Sequence, residues 1–398
     1  MQSENDILVI GDGAVGKAAA LALAQAGLAV TLLRPPSGAR SVAADPASWD
    51  VRVYALNQVA HDLLSRLRVW SALDAQRIAP VEAMVVHGDA PNAGRLDLDA
   101  YGARTSALAW IVEDRNLNQA LDSALRFSPS LRIVEGLAQH LEVDASAAHV
   151  TLDNGTKLDA RLIVGADGAN SWVRGQCDIG LDYRSYGQRA IVCNFECEQP
   201  HRGVAYQWFT SSEGIIALLP LAGQRVSLVW SAPESLASTL LNGSLGQLAQ
   251  RLSALKGHAL GRLQPLQPEA VKSFPLSLQR PHSIMAPRVA LVGDAAHVVH
   301  PLAGHGMNLG FADVNELVQQ VSRREAHREC GDERVLARYA RARKEDIFLM
   351  LAATDGLERL FSIDVEPVRA IRNLGLNLVN NLPVLKRALI SHALGRKT

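Results

Sequence analysis

Six residues near the amino terminus, Gly11-Asp12-Gly13-Ala14-Val15-Gly16, restrict what this chain can fold into more than any other stretch. Before them, Ile7 to Ile10 is a short apolar run of the kind buried in a parallel sheet. After them an alanine- and leucine-rich helical stretch runs to Ala26, Gly27 closes it, and Ala29 to Leu33 reads as a second strand. Strand, glycine turn, helix and strand within about 30 residues make a βαβ unit. In such a unit Gly11 permits the tight turn, Gly13 lets backbone approach a pyrophosphate, and Gly16 lets the helix pack closely on the strand. The helix N-terminus offers free N–H groups and a positive dipole end to the phosphates. A plain glycine turn is the alternative that needs no ligand.

The strand-then-glycine pattern returns twice, as Leu162-Ile163-Val164 before Gly165-Ala166-Asp167-Gly168 and as Val289-Ala290-Leu291-Val292 before Gly293-Asp294. Between them, roughly 181 to 284, strand-like pieces (Ala190 to Phe195, Ile215 to Leu219, Val226 to Trp230) alternate with Gly, Pro and Ser turns, which predicts a mostly antiparallel sheet. Residues 234 to 262 read as helical. The chain turns helical again after Ala312, and the mixed charges from Arg323 to Arg343 suit a solvated face. A chain of 398 residues exceeds one compact core. The expected fold is therefore α/β: a Rossmann-like nucleotide-binding domain on a parallel sheet, discontinuous in sequence, with a mostly antiparallel substrate domain and C-terminal helices. Expected boundaries are 1–75, 103–180 and 285–345 for the nucleotide domain, 76–102 and 181–284 for the substrate domain, and 346–398 for the helical segment.

Asp167, between small residues at a strand end, suits a ribose or ribityl hydroxyl; an Asx-turn capping the next helix is the alternative. The third motif is the richest: Gly293-Asp294-Ala295-Ala296-His297, then His300-Pro301-Leu302-Ala303-Gly304-His305-Gly306-Met307-Asn308-Leu309-Gly310. A strand delivers Asp294 to its C-terminal edge, and a glycine-rich loop opens a helix near Asn308. Several N–H donors then aim at one point, an arrangement that stabilises negative charge on the pyrimidine end of a reduced flavin. His297, His300 and His305 lack a carboxylate or Cys at a familiar ligand spacing, so no metal site is expected.

Forty Lys and Arg against forty Asp and Glu give zero formal charge, which removes the long-range attraction expected of a nucleic-acid binder. Four cysteines are too few for a disulfide scaffold, so reduced thiols and a cytoplasmic location are expected. No targeting segment is read at the N-terminus, and the apolar stretch Ala18 to Leu23 is too short to span a bilayer. Any membrane contact is expected to be peripheral, at the inner face.

The three motifs in this order resemble the class A flavin monooxygenases, with the para-hydroxybenzoate hydroxylase-like fold. Asp50 to Leu56, Ile111-Val112-Glu113-Asp114-Arg115, Pro200 to Ala205, Leu218 to Leu221, Ser227 to Ser231, His300 to Gly310 and Arg372 to Leu376 look like the ubiquinone-biosynthesis aromatic-ring hydroxylases. The likeness covers essentially the whole chain. It implies FAD as cofactor and NAD(P)H as co-substrate, with O₂ forming a flavin C4a-hydroperoxide that hydroxylates an electron-rich phenol. It implies that Gly11, Gly13 and Gly16 cradle the FAD pyrophosphate and that Arg52 and Arg115 contact FAD from outside the motif. Asp294 would bind the ribityl chain, and Asp167 would shape the flavin and nicotinamide approach. Pro301 would line the oxygen-reaction face, while Gly304 and the run Gly306, Met307 and Asn308 belong to the loop that holds the pyrimidine edge.

Three positions depart from the family pattern. Strand two ends in Arg34, which cannot accept a hydrogen bond from the adenosine ribose, and the first glycine loop carries Asp12. Either Asp12 pairs with Arg34 or takes over part of the ribose contact, or both side chains point to solvent. His305 stands where these hydroxylases commonly carry Gln; as a catalytic candidate it either tunes the flavin potential or donates to the hydroperoxide, or it simply replaces an amide contact. Ile347 to Leu351 and Leu374 to Leu394 are apolar on helical spacing, with Lys386, Arg387, Arg396 and Lys397 nearby. They suit either an interfacial helix that admits a prenylated substrate or packing within the protein. The expected partners are a lipophilic aromatic substrate, O₂ and subunits of a quinone-biosynthesis complex, with no nucleic acid. The expected function is hydroxylation of a polyprenylated phenol in ubiquinone biosynthesis. The alternatives are another lipophilic aromatic such as an alkylquinolone, or an accessory subunit that binds FAD weakly.

Overall fold

The computed structural model describes residues 5–36, 48–88, 94–256, 259–267, 270–363, 365, 373–374, 377–378 and 380. Its centre is a sheet whose strands run in the order Met285–Ala286, Val289–Leu291, Lys157–Gly165, Asn5–Ile10, Val30–Arg34 and Leu131–Glu135. From Val289–Leu291 to Leu131–Glu135 every neighbouring pair is parallel. Ile7, Leu8, Val9, Leu162, Ile163 and Val164 are fully buried because both faces are covered, which is why these strands read as unbroken apolar runs. Register places the site. Ile10 lies opposite both Leu33 and Gly165, and Gly165 lies opposite Leu291, so all three glycine turns leave the same edge of the sheet.

The helix Ala14–Gln25 runs back over one face, its alanines buried against the helices Asp114–Arg126 and His305–Ser322. Ala26 ends it and Gly27, at φ +87°, carries the chain away in the left-handed region.

A second sheet has the order Leu263–Pro265, Leu181–Cys197, Arg225–Pro233, Gly214–Leu221, Val204–Thr210, Ala83–His87 and Arg95–Asp99, with Lys272–Pro281 also on Leu181–Cys197. It is antiparallel throughout, except that Val204–Thr210 runs parallel to Ala83–His87. The expected helical stretch over 234 to 262 is two helices, Glu234–Asn242 and Leu245–Lys256, broken at Gly243. Their apolar sides pack on Ile191, Phe195, Leu228 and Trp230.

Two expected boundaries move. Ala79–Val81 was assigned to the substrate domain, yet it pairs with Ala109–Glu113 in a three-stranded sheet completed by Val53–Leu56. Its alternating burial explains this, since Ala79 and Val81 pack on Ala55 and Ile111. The boundary at 346 falls inside one continuous helix, Glu333–Ser362. Val335, Leu336, Tyr339, Arg343, Ile347, Leu351 and Thr354 form one buried stripe through that point. Of the stretch 374–394 only residues 374, 377, 378 and 380 are described.

Candidate active site

A cavity of about 1020 Å³ opens at the shared sheet edge, and all three glycine motifs line it: Gly11 to Val15 from the first, Ala166 to Gly168 from the second, Val292 to Asp294 and Met307 from the third. The three glycines of the first turn serve different ends. Gly11 sits at φ +128°, and a Cβ there would stand 2.2 Å from the Ala166 carbonyl oxygen. A Cβ on Gly16 would stand 2.1 Å from the carbonyl oxygen of Gly11, so Gly16 sets helix-to-strand packing from behind the cavity. A Cβ on Gly13 would meet nothing within 4 Å. Gly13 therefore leaves space in front of the helix N-terminus it caps, where the first-turn N–H groups have no side-chain acceptor.

The cationic wall comes from the strand Val53–Leu56 and its approach. Arg52 is open to the cavity, with its guanidinium 5.6 Å from the Tyr54 ring centroid and 6.0 Å from that of Phe274. Asp114 accepts a hydrogen bond from the Tyr54 hydroxyl at 2.7 Å, and burial pushes that phenol well above its ordinary range. Arg115 donates to the Ser48 carbonyl, and its backbone N–H donates to Asp50. Lys17, only 2% exposed, places Nζ 2.8 Å from Asp122, 3.0 Å from Asn118 Oδ1 and 3.9 Å from Asp12. Asp12 thus faces Lys17, and the pairing with Arg34 is not formed. Arg34 instead donates to Glu135, its register partner on the next strand, at 2.6 and 3.1 Å. Pro35 and Pro36 line the cavity where Arg34 was expected.

Asp167 makes the capping contact and keeps one oxygen uncommitted. Oδ2 accepts the Val173 N–H at 3.0 Å and helps cap the helix Trp172–Gln176, while Oδ1 is buried with no hydrogen-bond partner. Asp294 is exposed to the cavity while protein surrounds it, and this loss of bulk solvent raises its carboxyl above the usual range, against the pull of His297 and Arg52.

The third motif is only partly in the cavity. Met307 lines it, whereas Pro301, Gly304, Gly306 and Asn308 do not. The helix opens at His305, not near Asn308, because Gly304 at φ +69° ends a 3₁₀ turn and caps it. The Asn308 side chain is committed to protein: Nδ2 donates to the carbonyls of Ala55 (2.8 Å) and Gly304 (3.2 Å), and Oδ1 accepts the Asn57 N–H (2.9 Å). It clamps the cationic wall to the helix. The His305 side chain lies outside the described residues.

His300 is fully buried, with Nε2 3.3 Å from Gln188 Oε1 and its ring edge-on to Tyr186. Desolvation lowers its pKa to about 4, from an unfolded value of about 6.5. Between those values the unfolded chain binds about one proton more than the native protein, so stability falls as pH drops through this window and is unaffected by this group above it. Urea unfolding at pH 5 and pH 7.5 should show a smaller acid loss in His300→Gln than in wild type. Equal losses would mean that His300 takes up its proton as readily in the native protein as in the unfolded chain.

Sequence reasoning passed over Lys17, Trp49, Asn118, Gln119 and Asp122, all in the cavity wall. One signal was available: Asp114, Asn118 and Asp122 are spaced i, i+4 and i+8, a polar stripe on a single face of the helix Asp114–Arg126.

A family model described as FAD binding domain matches residues 4–352. The chain is 36% identical over 395 residues to ubiquinone hydroxylase UbiL of Rhodospirillum rubrum, covering 98% of this chain and 89% of that protein. It is 35% identical over 392 residues to 3-demethoxyubiquinol 3-hydroxylase of Escherichia coli, covering 98% of both. Among solved structures, Klebsiella pneumoniae HpxO complexed with FAD and uric acid matches with a TM-score of 0.76 over 100% of this chain and 98% of that one, at 17% identity, a likeness of fold.

Proposed function

The chain belongs to the FAD-binding-domain family, among the aromatic-ring hydroxylases of ubiquinone biosynthesis, and from that membership we propose that it hydroxylates the ring of a polyprenylated phenol with NAD(P)H and O₂. The observation that carries the reading is that three glycine motifs, far apart in sequence, line one cavity. The residues there fit FAD. Gly13 leaves room at a helix N-terminus, the buried Asp167 Oδ1 lacks a partner, and Asp294 is exposed only toward the space a cofactor would fill.

When bound, FAD supplies hydride acceptance from a nicotinamide and activation of O₂. The chain's part is binding and shielding. Gly11, Gly13 and Gly16 shape the pyrophosphate turn, Arg52 and Arg115 supply positive charge, and Asp294 accepts hydrogen bonds from the ribityl chain. Asp167 would offer its unpartnered oxygen, and the family resemblance assigns Pro301 and His305 to the oxygen-reaction side. Gly304, Gly306 and Met307 present the helix opening, with Asn308 locking that opening to the wall.

Asp12 takes the ribose contact in this reading, held by Lys17, while Arg34 has no part in it. Asp12→Ala should weaken FAD binding measurably on titration. Arg34→Ala should leave it unchanged and cost only about 0.2–1 kcal/mol of stability, because the pair with Glu135 is half exposed. The reverse ranking would overturn this assignment. The accessory-subunit alternative rests on Arg34, which offers the ribose no acceptor; purified protein that resists FAD loading would favour it.

The reading includes a cytoplasmic location, partner subunits of a quinone-biosynthesis complex, and peripheral contact with the inner membrane face. The helix Glu333–Ser362 exposes Phe348, Leu349, Leu357 and Leu360, which supports the last of these, and no described helix is long and apolar enough to cross a membrane. Complementation of quinone-deficient cells, with analysis of the accumulated intermediate, tests the function. Disappearance of one demethoxy or deoxy precursor supports it, and undiminished accumulation of every precursor overturns it.

A further inference from the structure

Behind the Gly293–Ala295 turn lies a buried set of charges that no cofactor contact accounts for. Asp313, on the helix His305–Ser322, is fully buried. Its Oδ2 accepts two hydrogen bonds from the same short turn, the Gly293 N–H at 3.0 Å and His297 Nε2 at 2.6 Å. Its Oδ1 accepts Arg343 Nε at 2.7 Å, from the helix Glu333–Ser362. Arg343 also reaches Asp346 at 2.6 Å and the Leu309 carbonyl at 3.4 Å.

These contacts close a ring around Asp294. The Gly293 carbonyl accepts the N–H groups of Ala296 and His297, and the carboxylate of Asp313 joins the two ends of that turn, so Asp294 projects from its middle into the cavity. Gly293 sits at φ +63°, and Gly310 lies so close that a Cβ on it would be 3.2 Å from Gly293 Cα and 2.7 Å from Val15. Backbone packing and a doubly used carboxylate oxygen therefore fix one position for Asp294. With the Nε2–H of His297 donated to Asp313, its Nδ1 is left buried and without a hydrogen-bond partner.

We propose that Asp313, neutralised by Arg343 and latched to His297, is a positioning residue that holds Asp294 for the cofactor, so that the long C-terminal helix takes part in FAD binding without touching FAD. This rests on the reading of the cavity as an FAD site. An amide cannot substitute for the carboxylate. With its oxygen toward Gly293 and His297, an Asn would turn its NH₂ against the Arg343 donor; turned over, it would set NH₂ against two donors.

The test uses the full chain, stripped of flavin and titrated with FAD while flavin fluorescence is followed. Asp313→Asn should bind FAD about tenfold to hundredfold more weakly, the loss expected for hydrogen bonds to a charged group. Asp346→Asn, which removes only the charge of the outer partner of Arg343, should stay close to wild type. In Asp313→Asn the ¹⁵N signals of His297 should leave the Nε2–H pattern of wild type. An Asp313→Asn protein of wild-type fold with wild-type FAD affinity would overturn the inference, as would equal losses in Asp313→Asn and Asp346→Asn. A wild-type protein that takes up no FAD would overturn the hydroxylase reading, and this inference with it.

Discussion

Gly13→Ala should give a protein that folds as well as wild type and binds no FAD, whereas Gly11→Ala should fail at the level of the fold. The difference follows from what each methyl would meet. At Gly11 the backbone is at φ +128°, outside the range an L-residue adopts without strain, and the new Cβ would lie 2.2 Å from the Ala166 carbonyl oxygen and 2.9 Å from the Asp167 nitrogen. Overpacking against backbone and a strained φ each cost about 1–3 kcal/mol, and at Gly11 they add. Gly16→Ala shares the first cost, since its Cβ would press on the carbonyl oxygen of Gly11 at 2.1 Å. At Gly13 the backbone is extended, at φ −76° and ψ 170°, which alanine adopts freely, and no atom lies within 4 Å of the new methyl. The methyl would occupy only the space before the helix N-terminus. Urea unfolding of the flavin-free proteins should rank Gly13→Ala with wild type and the other two well below it. Flavin absorbance after FAD loading should be lost in all three. A Gly13→Ala protein that loads FAD normally would mean the phosphates approach elsewhere.

How much of this was legible in the sequence depended on whether neighbours in space were neighbours in pattern. The βαβ unit was legible because its strand, turn and helix are consecutive, whereas the register of Ile10 with Gly165 joins strands far apart in sequence and apolar on both faces, so no alternation fixes it. The mostly antiparallel second sheet was legible from alternation. The partner of Arg34 was not, since Glu135 is about a hundred residues away and nothing local marks the strand Leu131–Glu135 as the next neighbour. The helix opening was legible only to within three residues, and nothing local shows that the Asn308 amide turns onto Ala55 and Asn57. Lys17 precedes the apolar stretch Ala18 to Leu23, and only the fold reveals that Asn118 and Asp122 are there to receive it. Polar side chains inside a core are the hardest to place from sequence, because their meaning lies in a partner on another element.

The Arg77–Glu113 pair carries the second large prediction. Glu113 is 1% exposed, and Arg77 meets it with two donors, Nε at 2.6 Å and a terminal nitrogen at 2.8 Å. The same carboxylate accepts the Asp50 N–H, and Asp50 in turn accepts the N–H groups of Arg52 and Arg115. Arg77 also donates to the Ser48 carbonyl at 2.7 Å and lies 4.3 Å from the Trp49 ring centroid. One buried ion pair therefore pins the whole segment Ser48 to Arg52, which is cavity wall. Arg77→Ala leaves a buried carboxylate without its counter-charge and should cost about 3–5 kcal/mol. The paired change Arg77→Met with Glu113→Leu removes both charges at similar volume, so it should recover most of that stability. It should not recover FAD binding, because the leucine offers no acceptor to the Asp50 N–H and the wall stays unpinned. Denaturant unfolding and FAD titration on the same two proteins separate these effects. A single variant within about 1 kcal/mol of wild type would put the pair among solvated surface contacts, and a double variant that binds FAD normally would show that the wall holds its shape without Glu113.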